Sequence, residues 1–358
     1  PCGGSRPLPA RRAAGSGNNA VNPPLIFIHY GAAPYLRWTL RTARRTNPGK
    51  RIILLGDAQN RSSARGLAEH VEFSHLEEGP ELAEFDRVFQ VLQGDRHRFN
   101  KLHGTEFWLR FVFRRWFLIA NFLRREHIEA FWTFDSDTLV LAPLQPREAR
   151  YRGYDCTEQC RGECLNGFVG SRTLVENYIR TINLLFQDPD YLQAQRERLK
   201  THAGLSFNEM DAYREFRSRH ALRTIRAVEP IDGEVFDDAL AFIEDYEESP
   251  EKLMNRTQVK RLWAGPGGGV FARRKDGRVV RMITANLSWM PLFMYRRLAR
   301  FATPGETDRH ATAPEPGASS EITYQEPLSD KAWRHARLVL APLEKTAFAW
   351  LNRIKPCR

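Results

Sequence analysis

The sequence predicts a mixed α/β fold in which a mainly parallel sheet is flanked by helices. Residues 25–57 read as strand, helix and strand in quick succession, which is the pattern of a βαβ unit with parallel strands. A long helical pattern over residues 105–125 then leads straight into a second apolar run of strand-forming residues at 131–141. Strands that alternate with helices in this way predict one open α/β sheet.

Length and charge limit the classes of protein that this chain can be. The 358 residues suffice for one large α/β domain with extensions, or for two domains. Lysine and arginine outnumber aspartate and glutamate by 54 to 43, which gives a net charge of +11 and a pI near 9.6. This balance favours anionic partners, namely nucleoside diphosphates, acidic lipid surfaces or nucleic acid. No run of about 18 apolar residues occurs, so the sequence predicts no bilayer-spanning segment.

Composition divides the chain into four segments. Residues 1–22 are rich in Gly, Ala, Arg and Asn and predict a disordered basic leader; because the chain begins with proline rather than methionine, a processed form or a fragment is expected. The globular domain is expected over residues 23–300, followed by a flexible linker at 301–330 that is rich in Pro, Gly and Ser. Residues 331–358 predict a basic amphipathic tail of two short helices, which either lies on an anionic membrane face or docks on the protein body.

Polar residues follow directly on the first two predicted strands. The first strand ends in His29-Tyr30-Gly31, and ligands of open α/β sheets bind at the carboxyl ends of such strands. A plain strand-to-helix turn is the alternative. Asp57 ends the second strand and suits either a ribose or base edge, or the N-cap of a helix that starts near Ser62. The chain has neither a Gly-x-Gly-x-x-Gly nor a P-loop pattern, so the sequence signals no Rossmann cofactor site.

Two acids one residue apart, Asp135 and Asp137, lie inside the apolar run at 131–141. Aspartates in a buried strand are costly unless a cation meets them. Residues i and i+2 of an extended segment point the same way, so both carboxylates are expected to converge on Mn²⁺ or Mg²⁺. Two acids leave coordination positions open for a diphosphate. The alternative is a solvated turn, and the second copy of this pattern, Asp188-Pro189-Asp190, is predicted to be one.

Arg115 stands apart from the polar stripe of the long predicted helix, which consists of Arg110, Arg114, Asn121 and Arg125. Its helical neighbours are apolar, so the guanidinium is expected to be largely buried and to need an anionic partner. That partner is either a structural carboxylate or the phosphates of a bound nucleotide, since both fit the arginine fork.

Three of the five cysteines, Cys156, Cys160 and Cys164, recur every four residues, while the other two lie at the chain ends. Gly162 argues against one helical face, and the spacing is not that of a zinc ribbon. Unpaired thiols are therefore expected, with a disulfide and a metal cluster as the alternatives.

The helix with Arg115-Trp116, the short link and Phe134–Val140 together resemble bacterial nucleotide-sugar glycosyltransferases of the GT-A fold, including the retaining family 8 group. The resemblance implies a GT-A-like domain that moves a sugar from a nucleoside diphosphate sugar, with a UDP-sugar expected, to a hydroxyl acceptor. It implies that the Asp-x-Asp pair holds the metal and that an arginine on the preceding helix helps to bind the nucleotide. The expected nucleotide-binding residues are His29, Tyr30, Gly31, Asp57, Arg115, Asp135 and Ser136.

Two later segments match the same family in order. Residues 165–170 resemble the Asn-x-Gly strand behind the acceptor site, with Asn166 and Gly167 adjacent in this chain. The segment that contains Glu209 and Asp211 resembles the family's Asp-Gln-Asp stretch, whose acids face the transferred sugar or the acceptor. The resemblance makes Asp211 the first candidate for a catalytic acid and Glu209 the second, although residue type alone would place both on an exposed helix face.

The third metal ligand departs from the family pattern. The family often supplies a histidine beyond the last core strand, whereas here a predicted hairpin at 270–283 is followed by residues 284–289 without histidine. Asn286 is the predicted third ligand through its amide oxygen, with water as the alternative.

Two other functions stay open. A nucleotidyltransferase that makes the activated sugar also needs acids, a metal and a basic pocket, although no glycine-rich phosphate loop follows the first strand. A basic nucleic-acid-binding protein fits the charge, but the chain has no recognisable nucleic-acid module, so nucleic acid is not an expected partner. For the transferase, the expected partners are the donor and a glycan or lipid-linked acceptor. The expected location is the cytoplasm, with the inner membrane face as an alternative.

Overall fold

The structure is a computed structural model that describes residues 22–99, 104–253, 257–303 and 320–327. The helices are α1 (Leu36–Thr46), α2 (Arg61–Ala64), α3 (Pro80–Val88), α4 (Glu106–Arg125), α5 (Glu148–Tyr151), α6 (Arg172–Gln187), α7 (Pro189–Thr201), α8 (Glu209–Arg219) and α9 (Leu292–Leu298). The strands are β1 (Leu25–Ile28), β2 (Ile52–Gly56), β3 (Glu69–Glu72), β4 (Phe131–Thr133), β5 (Thr138–Val140), β6 (Cys156–Gln159), β7 (Cys164–Val169), β8 (Thr224–Arg226), β9 (Glu234–Val235), β10 (Leu262–Ala264), β11 (Val270–Arg273), β12 (Val279–Met282) and β13 (Thr284–Asn286).

The main sheet has seven strands in the order β3-β2-β1-β4-β7-β6-β8. Only β7 runs antiparallel to its neighbours, and the other pairings are parallel. Helices flank this sheet, so the predicted mixed α/β class with a mainly parallel sheet is confirmed. From β1 the chain proceeds outwards through β2 and β3, and it then returns to add β4 on the other side of β1. The carboxyl ends of β1 and β4 therefore form a topological switch point, which is where ligands bind in open α/β sheets.

Apolar runs and a capping residue in the sequence explain why the central strands and α4 form. All residues of β1 and β2 are buried, as expected for parallel strands covered on both faces. Helix α4 begins after Thr105, whose hydroxyl accepts the backbone N–H of Trp108 at 3.2 Å, as predicted from its residue type. The apolar side of α4 packs against α3 and α6; for example, the rings of Phe117 and Phe85 lie 4.8 Å apart. This packing fixes the helix that carries Arg115 against the sheet.

The segment at 131–141 differs from its prediction as one continuous strand. Strand β4 belongs to the main sheet, whereas β5 pairs antiparallel with β13 in a separate two-stranded sheet. Between them the backbone turns, and the N–H of Thr138 donates to the carbonyl of Asp135 at 2.9 Å. The long-range pairing of β5 with β13 outweighs the local strand preference of the run. Strands β10, β11, β12 and β9 form a further four-stranded sheet.

The ends of the domain differ in part from the predicted boundaries. Within the span predicted as a flexible linker, residues 320–327 pack against β10: Ile322 and Tyr324 are buried, and the Ile322 N–H donates to the Leu262 carbonyl at 2.9 Å. These two alternating apolar side chains cover the edge of the four-stranded sheet. Residues 1–21 of the predicted leader and the whole predicted tail lie outside the described residues. Among the helices that are described, none is long and apolar enough to cross a bilayer.

Candidate active site

The residues that follow β1, β2 and β4 meet at one edge of the main sheet. The imidazole Nδ1 of His29 lies 2.8 Å from the hydroxyl of Ser136, which joins the end of β1 to the turn after β4. The carboxylate of Asp57 accepts the N–H of Gly31 at 2.7 Å, so it holds the turn after β1. Asp57 also accepts the N–H of Gln59 at 2.9 Å. It therefore stabilises two backbone turns rather than a helix N-cap, and one of them is the turn that follows β1 at the switch point.

The two acids of the Asp-x-Asp motif lie in the turn between β4 and β5 and contact different partners. The Oδ1 atom of Asp135 lies 2.7 Å from Arg115 Nη1, and the Oδ2 atom of Asp137 lies 2.8 Å from the hydroxyl of Ser288. The premise that both acids lie in one extended segment is wrong, because a turn separates β4 from β5. They remain electrostatically coupled, because burial and, after it, the nearby Asp135 carboxylate raise the pKa of Asp137 to about 6.

Arg115 joins two carboxylates from distant parts of the chain. Its Nη1 atom contacts Asp135, and its Nη2 atom lies 3.1 Å from Oε1 of Glu209 in the first turn of α8. The Arg115 side chain is only 17% exposed, as the apolar surroundings on α4 predict. The sequence left two kinds of partner open for this guanidinium, a carboxylate or the phosphates of a nucleotide. In the structure its partners are the carboxylates of Asp135 and Glu209.

Several buried polar atoms of this region have no hydrogen-bond partner within the described residues. They are Oδ1 of Asp137, Oγ1 of the adjacent Thr138 and Nε of Arg115. Buried polar groups are nearly always satisfied, so an unsatisfied cluster calls for an explanation such as an ion, a ligand or water. The nearby charges also favour a bound cation. Three carboxylates (Asp135, Asp137 and Glu209) lie in this region, and the guanidinium of Arg115 contacts two of them. An excess of negative charge beside an oxygen without a donor fits a divalent cation.

Asn286 contributes to the site indirectly. Its Oδ1 atom accepts the Ser288 N–H at 2.9 Å and lies 2.7 Å from the Ser288 hydroxyl, which itself contacts Asp137. Metal ligation by Asn286 would require these two contacts to be exchanged, so in this structure Asn286 positions Ser288. Within the described part of the chain, no three His, Cys, Asp or Glu side chains come close enough to enclose a metal ion.

The residues predicted for the sugar and acceptor side fall into two groups. Gly167 on β7 pairs with Thr133 at the end of β4, so Asn166 and Gly167 lie beside the acid turn. Gly167 has φ +93°, and a Cβ there would lie 2.2 Å from the Thr157 hydroxyl, so no larger residue fits. Asp211 faces elsewhere: its carboxylate binds Arg198 through two contacts of 3.0 Å and caps the start of α8. Glu209, rather than Asp211, thus meets Arg115 and the acid cluster.

Three aromatic or hydroxyl residues of the site escaped the sequence analysis. Tyr35 stands at the start of α1, and its ring stacks on Tyr295 at 4.9 Å while burial raises its pKa to about 12. Ser288 and the adjacent Trp289 lie in the loop after β13, and the Trp289 side chain is 67% exposed with a backbone φ of +63°. The only signal for Ser288 and Trp289 in the sequence was that they follow closely after Asn286. Asn286 itself is 149 positions from Asp137 along the chain.

Two cavities of the described residues differ in their relation to the acid cluster. One of about 350 Å³ lies at the opposite edge of the main sheet and is lined by residues such as Pro23, Ala130 and Ser171. The cleft lined by Arg115, Asp135 and Asn166 holds only about 10 Å³, room for about one water. We place the site at the acid cluster because the switch point, the charge excess and the unsatisfied atoms coincide there.

The pKa of Glu209 predicts how the stability of the protein depends on pH. Burial raises this pKa from 4.5 to about 7, and Arg115 only partly opposes the effect. Between these values the unfolded chain releases the proton while the folded protein retains it, so the contribution of Glu209 to the free energy of unfolding falls as pH rises from about 4.5 to 7. We expect the difference in unfolding free energy between the wild type and Glu209→Gln to decrease across this window and to be flat above it. Urea denaturation at a series of pH values, without nucleotide or metal, measures it; parallel pH profiles would contradict this assignment.

The fold and the site define a mixed α/β protein with an acid cluster at the switch point of its sheet. No family model matches the chain, and no curated protein matches it. One similar solved structure is described as the PaToxG glycosyltransferase, with a TM-score of 0.32 and 8% identity over 55% of this chain and 67% of that one. Another is the apo structure of the bifunctional glycosyltransferase WbbM, with a TM-score of 0.27 and 11% identity over 63% of this chain and 41% of that one. Similarity at this level carries no argument about function, which has to come from the site.

Proposed function

We propose that this protein is a metal-assisted glycosyltransferase that moves a sugar from a nucleoside diphosphate sugar, with a UDP-sugar expected, to a hydroxyl of a glycan, lipid or protein acceptor. The observation that carries the proposal is the buried Oδ1 atom of Asp137, which lacks a hydrogen-bond partner among the described residues and lies beside Asp135 at the switch point. A buried carboxylate oxygen without a donor is costly unless a cation binds it. Asp135 and Asp137 would hold Mn²⁺ or Mg²⁺, which supplies charge to stabilise the leaving diphosphate.

The start of α1 supports an anionic ligand at this position. Its N-cap residue, Tyr35, makes no side-chain capping bond, and the first turn contains no acidic residue. The hydroxyl of Thr39, one turn further on, donates to the carbonyl of Ser136 at 2.8 Å, which places this helix end beside the acid turn. The helix dipole favours a phosphate there, although the N–H groups of Leu36 and Trp38 already donate to the carbonyls of Ala33 and Tyr35. The diphosphate would then lie between the helix end and the metal.

The exposed side of the site suits the nucleoside. The Tyr30 side chain is 46% exposed, and its ring lies 4.4 Å from that of Phe107 at the start of α4. His29 stays uncharged at neutral pH, because burial lowers its pKa to about 4. We therefore assign hydrogen bonding to the uncharged His29 and stacking to Tyr30. Asp57 holds the turn that contains these two residues and Gly31.

Glu209 is the acid that we assign to the sugar and acceptor side. Its carboxylate contacts Arg115, and a pKa near 7 lets it accept or donate a proton at neutral pH. Asp211 is held by Arg198 and Arg214, so it supports the first turn of α8. Arg115 aligns Glu209 with Asp135 and balances part of the negative charge. Stabilisation of the departing diphosphate supplies the main catalytic effect.

Thermal-shift screening of the purified protein tests this function. We expect a nucleoside diphosphate with Mn²⁺ to raise Tm more than either component alone, because each would complete the other's coordination. UDP, GDP, ADP and CDP serve as probes, with the matching triphosphates and heparin as comparisons. Stabilisation only by triphosphates would favour a nucleotidyltransferase, and stabilisation only by heparin would favour a nucleic-acid binder; either result would overturn the proposal.

A further inference from the structure

The turn between β6 and β7 has an unusual backbone. Its three residues Cys160, Arg161 and Gly162 have φ values of +50°, +62° and +86°, and only the last is a glycine. The carboxylate of Asp238 holds this turn, because it accepts the N–H of Cys160 at 2.8 Å and that of Arg161 at 3.2 Å. Left-handed conformations at non-glycine residues are unfavourable and persist where the surroundings enforce them, often at functional sites. The structure thus maintains a strained turn that begins with a cysteine.

This turn brings the thiols of Cys160 and Cys164 together. Cys164 is the register partner of Gln159 in the antiparallel pairing of β6 with β7, and Cys160 follows Gln159 directly. The N–H of Glu163 donates to the carbonyls of both Gln159 and Cys160, at 3.2 and 3.1 Å, which closes the loop tightly. The two cysteines therefore stand one residue out of register across the antiparallel pair, and a disulfide between them requires Cα atoms about 4.4–6.8 Å apart. Both thiols are free in this structure, and their interaction is the largest cause of the raised pKa of Cys164.

The pair lies beside the acid cluster. Cys164 is the first residue of β7, two residues before Asn166, which lines the cleft with Arg115 and Asp135. The Asp135 carboxylate is among the charges that act on the Cys164 thiol. Tyr178, whose pKa is in turn affected by Cys164, donates its hydroxyl to the carbonyl of Glu209 at 2.7 Å. A change at Cys164 would therefore affect both Asp135 and, through Tyr178, Glu209.

We propose that Cys160 and Cys164 form a reversible dithiol–disulfide site that exchanges with small disulfides such as oxidised glutathione. The half-buried Cys160 attacks first as the thiolate: its sulfur bonds to one glutathione sulfur, the glutathione disulfide bond breaks, and one glutathione thiolate leaves. The Cys164 thiolate then attacks the Cys160 sulfur of the mixed disulfide and releases the second glutathione thiolate. The two protons of the protein thiols pass to the two glutathiones. One disulfide is reduced and one is formed.

Cys156 provides an internal comparison for this reactivity. It lies at the start of β6, is fully buried, and its sulfur lies 3.5 Å from the Tyr213 hydroxyl. Burial raises the pKa of this thiol to about 12 and also contributes to the raised pKa of Cys164, so the contrast between the two lies in the neighbouring thiol rather than in the pKa. No partner cysteine of the described residues is adjacent to it in the way that Cys160 is to Cys164. Cys156 is therefore expected to stay reduced in the folded protein.

The oxidised state is expected to weaken nucleotide binding, a consequence that rests on the proposed function. The cleft between Arg115, Asp135 and Asn166 has room for only about one water, so a small movement of the first residues of β7 alters its lining. Formation of the disulfide ties Cys164, the first residue of β7, to Cys160 in the turn. We expect the oxidised protein to bind UDP with Mn²⁺ at least about threefold more weakly, and thiol reductant to restore the affinity.

Mass spectrometry of the full chain tests the disulfide directly. Cys2 and Cys357 are first replaced by serine, and the protein is treated with oxidised glutathione, alkylated with N-ethylmaleimide and digested with trypsin. Because trypsin cleaves after Arg161, the disulfide would link two tryptic peptides, one with Cys160 and one with Cys164. We expect this linked pair in the parent chain and in Cys156→Ser, and its absence in Cys160→Ser. If the folded parent chain yields alkylated Cys160 and Cys164 but no linked pair, the proposal is overturned.

The nucleotide measurement separates the two proposals. A linked pair together with weakened UDP and Mn²⁺ binding supports the inference in full. A linked pair with unchanged binding contradicts the coupling between the dithiol and the acid cluster. Absence of nucleotide binding in both redox forms contradicts the proposed function, and the mass measurement then decides the disulfide on its own.

Discussion

Replacement of Asp137 with Asn is expected to lower turnover of the donor sugar by about 10³-fold, because a lost metal contact removes several kcal/mol of charge stabilisation at the leaving diphosphate. The change keeps the size of the side chain and can keep the contact with the Ser288 hydroxyl, which now lies 2.8 Å from Oδ2. It removes only the charge and one acceptor atom. Release of nucleoside diphosphate from a panel of UDP-, GDP- and ADP-sugars, with Mn²⁺ present, measures the effect.

The same substitution should not destabilise the protein without ligand. Burial raises the pKa of Asp137 to about 6, so at pH 8 the folded protein holds an unfavourable buried charge that asparagine lacks. Lower activity together with an unchanged or higher Tm would therefore exclude unfolding as the cause. Asp135→Asn is expected to lose activity as well, and it also removes the charge that balances Arg115.

The second copy of the motif supplies a matched control for these substitutions. Asp188 caps α7 through its contacts with the N–H groups of Asp190 and Tyr191, both at 3.0 Å, so this copy begins a helix where the sequence predicted a turn. Asp190 is exposed in the first turn of that helix. Asp190→Asn makes the same chemical change in the same sequence pattern, and we expect full turnover from it. Unchanged turnover in the double variant of Asp135 and Asp137 would refute the mechanism.

Local sequence signals were sufficient to predict the first half of the sheet. Strands β1 and β2 are short apolar runs bounded by polar turns, and α4 carries both its N-cap and its buried apolar face in the sequence itself. The positions of His29, Asp57 and Asp135 at one sheet edge follow from parallel pairing alone. These features depend on residues that are close together in the chain, so they can be predicted from the sequence alone.

The finer geometry of the acids depends on pairing between distant residues. Strand β13 pairs with β5 across at least 144 positions of the chain, the separation of the register partners Val140 and Thr284. This pairing turns the run at 131–141 and brings Ser288 to Asp137. Similarly, Arg198 on α7 binds Asp211, which leaves Glu209 as the acid at Arg115. Residue type and spacing hold no signal for either arrangement, since each is decided by which side chains the tertiary fold brings together.

Replacement of Asp237 with Ala is expected to lower the free energy of unfolding by about 3–5 kcal/mol, the largest stability effect that we predict. The Asp237 side chain is fully buried and pairs with the ammonium group of Lys260, which is itself buried. Its other carboxylate oxygen accepts the N–H of Asn286 at 2.9 Å. The alanine variant leaves a buried cation and a buried N–H without a partner. Urea denaturation measures the loss, and Glu69→Ala in the exposed pair with Arg51 is the matched control, with an expected loss of about 0–1 kcal/mol.

A second substitution separates the cost of an unpaired charge from the value of the pair. Lys260→Met in the Asp237→Ala background removes the stranded ammonium while it keeps an apolar chain beside the Tyr246 ring, which Lys260 now contacts at 4.3 Å. If the unpaired charge dominates, the double variant recovers at least about 2 kcal/mol relative to Asp237→Ala alone. If it recovers nothing, the loss arises instead from the freed N–H of Asn286. In that case the activity should fall together with the stability, because Asn286 positions Ser288 against Asp137.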